Sequence, residues 1–185
     1  MKAAAGAKGA IVRPLDAKDA AEYQALRLRA LRESPTAFSS SYDEEADRSP
    51  SDIVARVTPA ADGSKCVFGA FFDGALAGMV TLVRPTRPKI RHVAEIAGMY
   101  VAPERRRQQI GRLLLDAAVT HARALSGVRQ IKLGVNASNT AARQLYESIG
   151  FVRYGVEPDA LYVDGRYYDE ELRVLGIVSN DADED

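Results

Sequence analysis

The chain has one cysteine, Cys66, and two histidines, His92 and His121, in 185 residues. A lone cysteine cannot close an intrachain disulfide, which is in keeping with a reducing compartment such as the cytoplasm. Cys66 also sits in an apolar strand pattern with no neighbour to activate it, so it reads as a packed thiol rather than a nucleophile. Two separated histidines and one distant cysteine make no metal constellation, and no metal is expected. Lys plus Arg number 25 and Asp plus Glu number 25, so the net charge is zero. That removes the global electropositivity a nucleic-acid or anionic-membrane partner would need. No apolar run approaches the roughly 20 residues of a membrane span. Residues 1–10, MKAAAGAKGA, lack a hydrophobic signal core and read as a flexible start. Residues 177–185, ending in NDADED, read as an acidic tail.

What is present fits one globular domain over residues 11–176, with 46% hydrophobic residues, 14 Gly and 8 Pro. DAKDAAEYQALRLRALRESP spaces Tyr23, Leu26, Ala30 and Leu31 as one helix face, and Pro35 follows its end. SPSDIVARV predicts a short helix with Ser49 as N-cap and Pro50 at its first position. KCVFGAFF and ALAGMVTLV flank Asp73-Gly74, a dipeptide that accepts positive φ at a tight turn, and predict a β-hairpin. HVAEIAGMYV predicts a strand whose alternation puts Val93, Glu95, Ala97, Met99 and Val101 on one face. From Ile110 the pattern turns helical, with Leu114, Ala117, Ala118, His121 and Leu125 inward and Gly127 as a stop. His121 is structural on this pattern, and His92, opening the strand, is within reach of a substrate. VRQIKLGVN is again a strand, which completes a βαβ unit whose crossover should be right-handed.

The loop of that unit, APERRRQQIGRLLL, carries Arg105, Arg106 and Arg107 at a helix start. A helix N-terminus bears about half a positive charge and favours anions, so three cations there are out of place unless an anion joins them. Gly111 lets the backbone approach a ligand closely. Physics alone leaves a phosphate site and a solvated charge cluster side by side; the spacing is neither a P-loop nor a GxGxxG fingerprint. Downstream, SNTAARQLYESIGF predicts a helix capped by Ser138 or Asn139, with Ala142, Leu145, Tyr146 and Ile149 inward and Gly150 at its end. At about 100° per residue, Asn139 and Tyr146 fall within roughly 20° of each other and about 10 Å apart along the axis, with Ala142 between them. That face could line a long, thin ligand.

The two segments together carry a resemblance. AEIAGMYVAPERRRQQIGRLLL resembles the acetyl-CoA-binding motif of the GNAT superfamily of N-acetyltransferases, a strand followed by [QR]-x-x-G-x-[GA]. VNASNTAARQLYESIGF resembles its second motif, N-x-x-A-x-x-L-Y followed by GF. The likeness runs from about Ile11 to Leu175 and is most specific from Glu95 to Phe151. It implies an α/β fold: a mixed, largely antiparallel central sheet, a βαβ cofactor-binding unit and flanking helices. It also implies direct transfer of acetyl from acetyl-CoA to an amine, on a small molecule or on a protein N-terminus or lysine, and is compatible with a homodimer. The cofactor-binding residues it implies are Met99, Tyr100, Val101, Arg106, Arg107, Gln108, Gln109, Ile110, Gly111, Arg112, Asn139, Ala142 and Tyr146. Glu95 is then the general base, a backbone N–H near Met99 to Val101 polarises the carbonyl, and Tyr146 protonates sulfur. The loop departs from the pattern at Gln109, where a glycine usually stands; a residue with a Cβ is expected there only on a helical backbone. Two other readings are a non-catalytic acyl-CoA-binding module and a phosphate or nucleic-acid binder built on the arginines. The acidic stretches, DEEAD and the carboxylates from Glu157 to Glu171, either attract a cationic amine or are solvated faces.

Overall fold

The computed structural model describes residues 4–5 and 9–177. The acidic tail predicted over residues 177–185 lies outside the described residues beyond Ile177, as does most of the predicted flexible start. In chain order the elements are β1 (Ala4–Ala5), β2 (Ala10–Pro14), α1 (Ala20–Glu33), α2 (Tyr42–Ala46), α3 (Pro50–Val57), β3 (Lys65–Phe72) and β4 (Ala75–Val83). They continue as β5 (Val93–Val101), α4 (Ile110–Ala124), β6 (Gln130–Asn136), α5 (Thr140–Ile149), β7 (Val152–Val163) and β8 (Arg166–Gly176). The strands form one sheet in the order β1-β2-β3-β4-β5-β6-β8-β7. Every neighbouring pair is antiparallel except β5 and β6, the two strands joined through α4. The mixed, largely antiparallel expectation therefore holds.

Two apolar layers enclose the sheet. On what we term the back face, Phe68, Val80, Leu82, Ile96, Ile131 and Leu133 pack against Ile110, Leu114, Leu115 and Ala118 of α4 and Tyr146 of α5. On the front face, Leu15, Val67, Met79 and Tyr100 pack against Tyr23, Leu26, Ala30 and Leu31 of α1 and Val57 of α3. The predicted face of α1 is the one buried. On α4 the buried stripe runs through Leu115, Val119 and Ala122, while Ala117, His121 and Leu125 are only half-buried. His121 is structural: its Nε2 lies 3.0 Å from the Gly63 carbonyl oxygen and its ring meets Phe68 edge-on. Burial pushes the Cys66 thiol up to about 11, so it is a neutral packing group. The hairpin turn adopts positive φ at Asp73 and Gly74, and Ser49 caps α3 by accepting from the Asp52 N–H.

Helix α2 escaped the hydrophobic pattern because it is only five residues long, yet its start was legible. Ser41 and Glu44 form a reciprocal capping box. A second difference matters more for the site. Met79 pairs with Tyr100 but Thr81 pairs with Ala97, so β5 carries one extra residue, a bulge at Gly98, whose φ is +61°. The bulge inverts the alternation. Ala94 and Ile96 face back before it, Met99 and Val101 face back after it, and Tyr100 faces front. Glu95 therefore does not share a face with Met99 and Val101, as strict alternation predicts; it lies on the front face with Tyr100.

Candidate acetyl-transfer site

Strands β5 and β6 are paired only from Val93↔Gln130 to Glu95↔Lys132. Beyond that point they part, and a cleft of about 740 Å³ opens between them. Its walls are Ile96–Val101 of β5, Gly134, Val135 and Asn136 of β6, the loop from Arg105 into α4, and Asn139, Ala142, Leu145 and Tyr146 around α5. Ser34 and Ala37, from the connection between α1 and α2, close the front. Sequence reasoning missed Ser34, Ala37 and the β6 residues, because only the parting of the strands makes them neighbours.

The parting leaves strand edges open. Ala102 donates its N–H to the Ala77 carbonyl on β4. Successive amides of a strand point to opposite edges, so those of Val101 and Met99 point into the gap. Arg106 confirms this direction, since its Nε donates to the Val101 carbonyl oxygen at 3.0 Å.

The loop itself is built to leave donors free. After the short turn at Pro103–Arg105, Arg107 and Gln109 both take left-handed backbone, each with φ +61°. Gln109 is the N-cap residue of α4 and makes no side-chain capping bond. Among the described residues, the amides from Arg107 to Arg112 have no protein acceptor. Alternating handedness of this kind turns successive N–H groups toward one point, a concavity that suits an anion. The helical backbone expected at Gln109 is thus corrected: a glutamine occupies the strained geometry that a glycine would take without penalty. The role of Gly111 also changes. A Cβ there would come 2.9 Å from Leu145 Cδ2 and 3.2 Å from Met99 Cε, so its small size first serves the packing of α4 against α5 and β5.

The arginines of the loop differ. Arg105 lies over the Phe72 ring, 3.9 Å from its centroid, and 3.8 Å from the Asp73 carboxylate. Arg106 and Arg107 are exposed, and neither meets a carboxylate among the described residues. Arg112 reaches Asp116 at 3.7 Å. Gln108 donates back to the Glu104 carbonyl oxygen at 3.3 Å.

Across the cleft, Asn139 caps α5 by accepting from the Ala142 N–H at 3.1 Å. Tyr146 is buried, its ring set edge-on against Phe151, and its hydroxyl has no hydrogen-bond partner among the described residues. Desolvation pushes the phenol up to about 12. The predicted pairing of Asn139, Ala142 and Tyr146 along one wall is what the structure brings together. Tyr100 belongs to the cleft only at its edge, for its side chain turns front and its hydroxyl donates to Glu33. His92 does not line the cleft. Glu95 stands exposed on the front face, opposite Lys132.

A family model, Acetyltransferase (GNAT) family, matches residues 27–151. The chain belongs to the GNAT acetyltransferase family. Among solved structures, a GNAT-family acetyltransferase from Streptococcus pneumoniae is 27% identical with a TM-score of 0.79, over 91% of this chain and 99% of that one. The mycothiol acetyltransferase of Thermobispora bispora is 42% identical over 65 residues, 35% of this chain and 22% of that protein. The spermidine N(1)-acetyltransferase of Vibrio cholerae is 31% identical over 94 residues, 51% of this chain and 53% of that protein. The matches thus span about a fifth to a half of these curated relatives. No metal-ligating group of three or more side chains occurs among the described residues, and none of their helices is long and apolar enough to cross a membrane.

Proposed function

We propose that this GNAT-family protein transfers acetyl from acetyl-CoA to an amine within the cleft between β5 and β6, with residues 11–176 acting as one catalytic unit. The observation that carries this reading is the parting of the two strands beside a loop of unpaired amides. A pyrophosphate fits that loop, held by the amides from Arg107 to Arg112 and by the guanidinium groups of Arg106 and Arg107. The pantetheine arm then runs along the open edge of β5 and past Asn139 and Ala142, which places the thioester in the gap. There an edge amide of Met99 or Val101 donates to the carbonyl oxygen as negative charge develops on it.

Tyr146 faces the departing sulfur. A phenol near 12 stays protonated at neutral pH and can donate a hydrogen bond to the thiolate. A cysteine-like thiol has a pKa of about 8.5, so the phenol does not surrender its proton outright; the proton leaving nitrogen must complete the exchange. The amine's first proton leaves on the front face, the side on which the predicted base Glu95 stands exposed. The acceptor is an amine on a small molecule or a protein. We place the protein in the cytoplasm, as the lone cysteine suggests, and a homodimer is compatible with the fold.

Release of free CoA, followed over a panel of amines, tests the activity directly. Tyr146→Phe should lower turnover by roughly ten- to a thousandfold while leaving acetyl-CoA affinity and melting temperature near wild type. An unchanged single-turnover rate would return Tyr146 to a packing role.

A further inference from the structure

We propose that Glu170 on β8, rather than Glu95, takes the proton from the acceptor amine, and that the amine sits over Gly134 on the front face of β6. This rests on the reading of the cleft given above. Gly134 lines the cleft, and a Cβ built on it would lie 2.6 Å from Glu170 Oε2 and 3.3 Å from its Cδ. The carboxylate therefore lies against the bare backbone of the cleft wall, in the space a side chain at residue 134 would fill. The neighbouring residues on β6 and β8 agree with this placement. Leu133 and Val135 face back, so Gly134 and Asn136 face front, and Asn136 is the register partner of Glu170.

Glu170 is half-buried and makes no hydrogen bond or ion pair among the described residues. The other carboxylates that are buried are treated differently. Asp19 is held by Arg13, Glu45 by three arginines and Glu171 by Arg173. A carboxylate left without a cation in a partly desolvated place is poised to hold a proton or to meet an incoming ammonium group. Burial, and then the charge of Glu157 across from it on β7, push its pKa above the ordinary glutamate value, the direction a base needs. The other titratable groups on this face include Lys132, two residues before Gly134 on β6, Glu95 and Tyr100 on β5, and Tyr168 and Arg166 on the same strand as Glu170. Lys132 lies over the Tyr154 ring and pairs with no carboxylate among the described residues. Glu95 pairs in register with Lys132, two residues before Gly134, which is roughly 7 Å along the strand.

The protons balance as follows. The acceptor arrives as an ammonium with three N–H protons. One passes to the Glu170 carboxylate and from there to solvent. The freed amine forms the C–N bond as the C–S bond breaks and its electron pair leaves on sulfur. A second proton leaves nitrogen to replace the one that Tyr146 shares with the thiolate, and the third remains as the amide N–H.

The test uses the full chain with glutamate carbons labelled for NMR and with spermidine, an alanyl dipeptide and benzylamine as acceptors. The Glu170 carboxyl signal, assigned by its loss in Glu170→Gln, should titrate above the ordinary glutamate value; a midpoint at or below that value overturns the proposal. With an acceptor that turns over, Glu170→Gln should lower the single-turnover rate at least tenfold and remove the acidic limb of the rate against pH, more than Glu95→Gln does. Gly134→Ala, which pushes the carboxylate aside without changing its chemistry, should reproduce the loss. A wild-type rate and intact limb in Glu170→Gln, or a limb lost only in Glu95→Gln, would overturn it. Calorimetric binding of acetyl-CoA separates the two readings: no binding removes the cleft assignment, whereas normal binding with a normal Glu170→Gln rate removes Glu170 alone.

Discussion

Arginine is used in two opposite ways on the two sides of this sheet. Beneath α1, α2 and α3, Arg27, Arg48 and Arg56 converge on the fully buried carboxylate of Glu45, with Arg27 at 3.2 Å and Arg48 at 3.0 Å. Burial by itself would raise the Glu45 pKa, but the Arg56 hydrogen bond and the charges of Arg27 and Arg56 outweigh it and hold the carboxyl below its usual range. In the loop before α4, Arg106 and Arg107 meet no carboxylate among the described residues, and the amides beside them have no acceptor there either. The first group is closed and serves the fold. The second is left open at a helix N-terminus, where cations are unfavourable, and suits the anion proposed for it above. The DEEAD segment, which composition leaves open between substrate attraction and a solvated face, includes in Glu45 a core ion cluster.

The largest effect should come from breaking the closed group. Glu45→Ala strands the buried Arg27 guanidinium and removes the partner of the partly exposed Arg48 and Arg56, and should cost roughly 3–5 kcal/mol of stability, read as a lowered denaturant midpoint. Calorimetric acetyl-CoA binding at low temperature should survive. The pH dependence follows from the sign of the shift. A folded pKa below the unfolded one gives stability that is fully present above the ordinary glutamate range and lost as pH falls through the folded value. Glu45→Gln should therefore flatten the acid limb of melting temperature against pH. A steep limb retained in that variant would show that other carboxylates carry it.

Opening the other group should do the reverse. Arg106→Ala with Arg107→Ala removes charge-assisted bonds worth roughly 1.5–3 kcal/mol each where they are made, so acetyl-CoA affinity should fall at least tenfold. The unliganded melting point should hardly move, because among the described residues Arg106 keeps one backbone carbonyl and a distant contact with the Tyr100 ring, and Arg107 meets no carboxylate. A large drop in unliganded stability with intact binding would erase the contrast between the two groups. The smallest effect concerns Gln109. Relief of its left-handed backbone is worth about 1–2 kcal/mol, and the freer unfolded chain of glycine takes back roughly 0.4–1. Gln109→Gly should thus raise stability by about 0.5–1 kcal/mol on that balance, with acetyl-CoA bound at least as tightly. A destabilised variant would mean that the Gln109 side chain holds the loop by contacts the strain does not outweigh.

Much of the candidate cleft was legible along the chain because its parts are contiguous. The arginine loop, Gly111, Asn139, Ala142 and Tyr146 sit at fixed spacings on one βαβ unit and the helix after it, and local periodicity is enough to place them. The hairpin turn and the caps at Ser49 and Asn139 are equally local, each a matter of one residue's φ or one side-chain oxygen. Glu95 shows where this stops. Alternation along a strand holds only while the pairing is regular, and one extra residue at Gly98 put Glu95 on the opposite face from Met99 and Val101. Gln109 shows the same for backbone strain, since no local propensity asks a glutamine to be left-handed.

The sequence by itself determined α1, α3, α4 and α5, the strands from β3 to β6, their order and the chemical kind of the arginine loop, because each depends on neighbours within a turn or two of chain. Tertiary structure alone decided that β5 and β6 part after three residue pairs, that Glu45 is buried while Arg106 is open, and that Glu170 lies against Gly134. Those facts depend on contacts between segments far apart in sequence. Glu170 and Gly134 become neighbours only because β8 pairs with β6, and a carboxylate's proton affinity is set by what surrounds it in space.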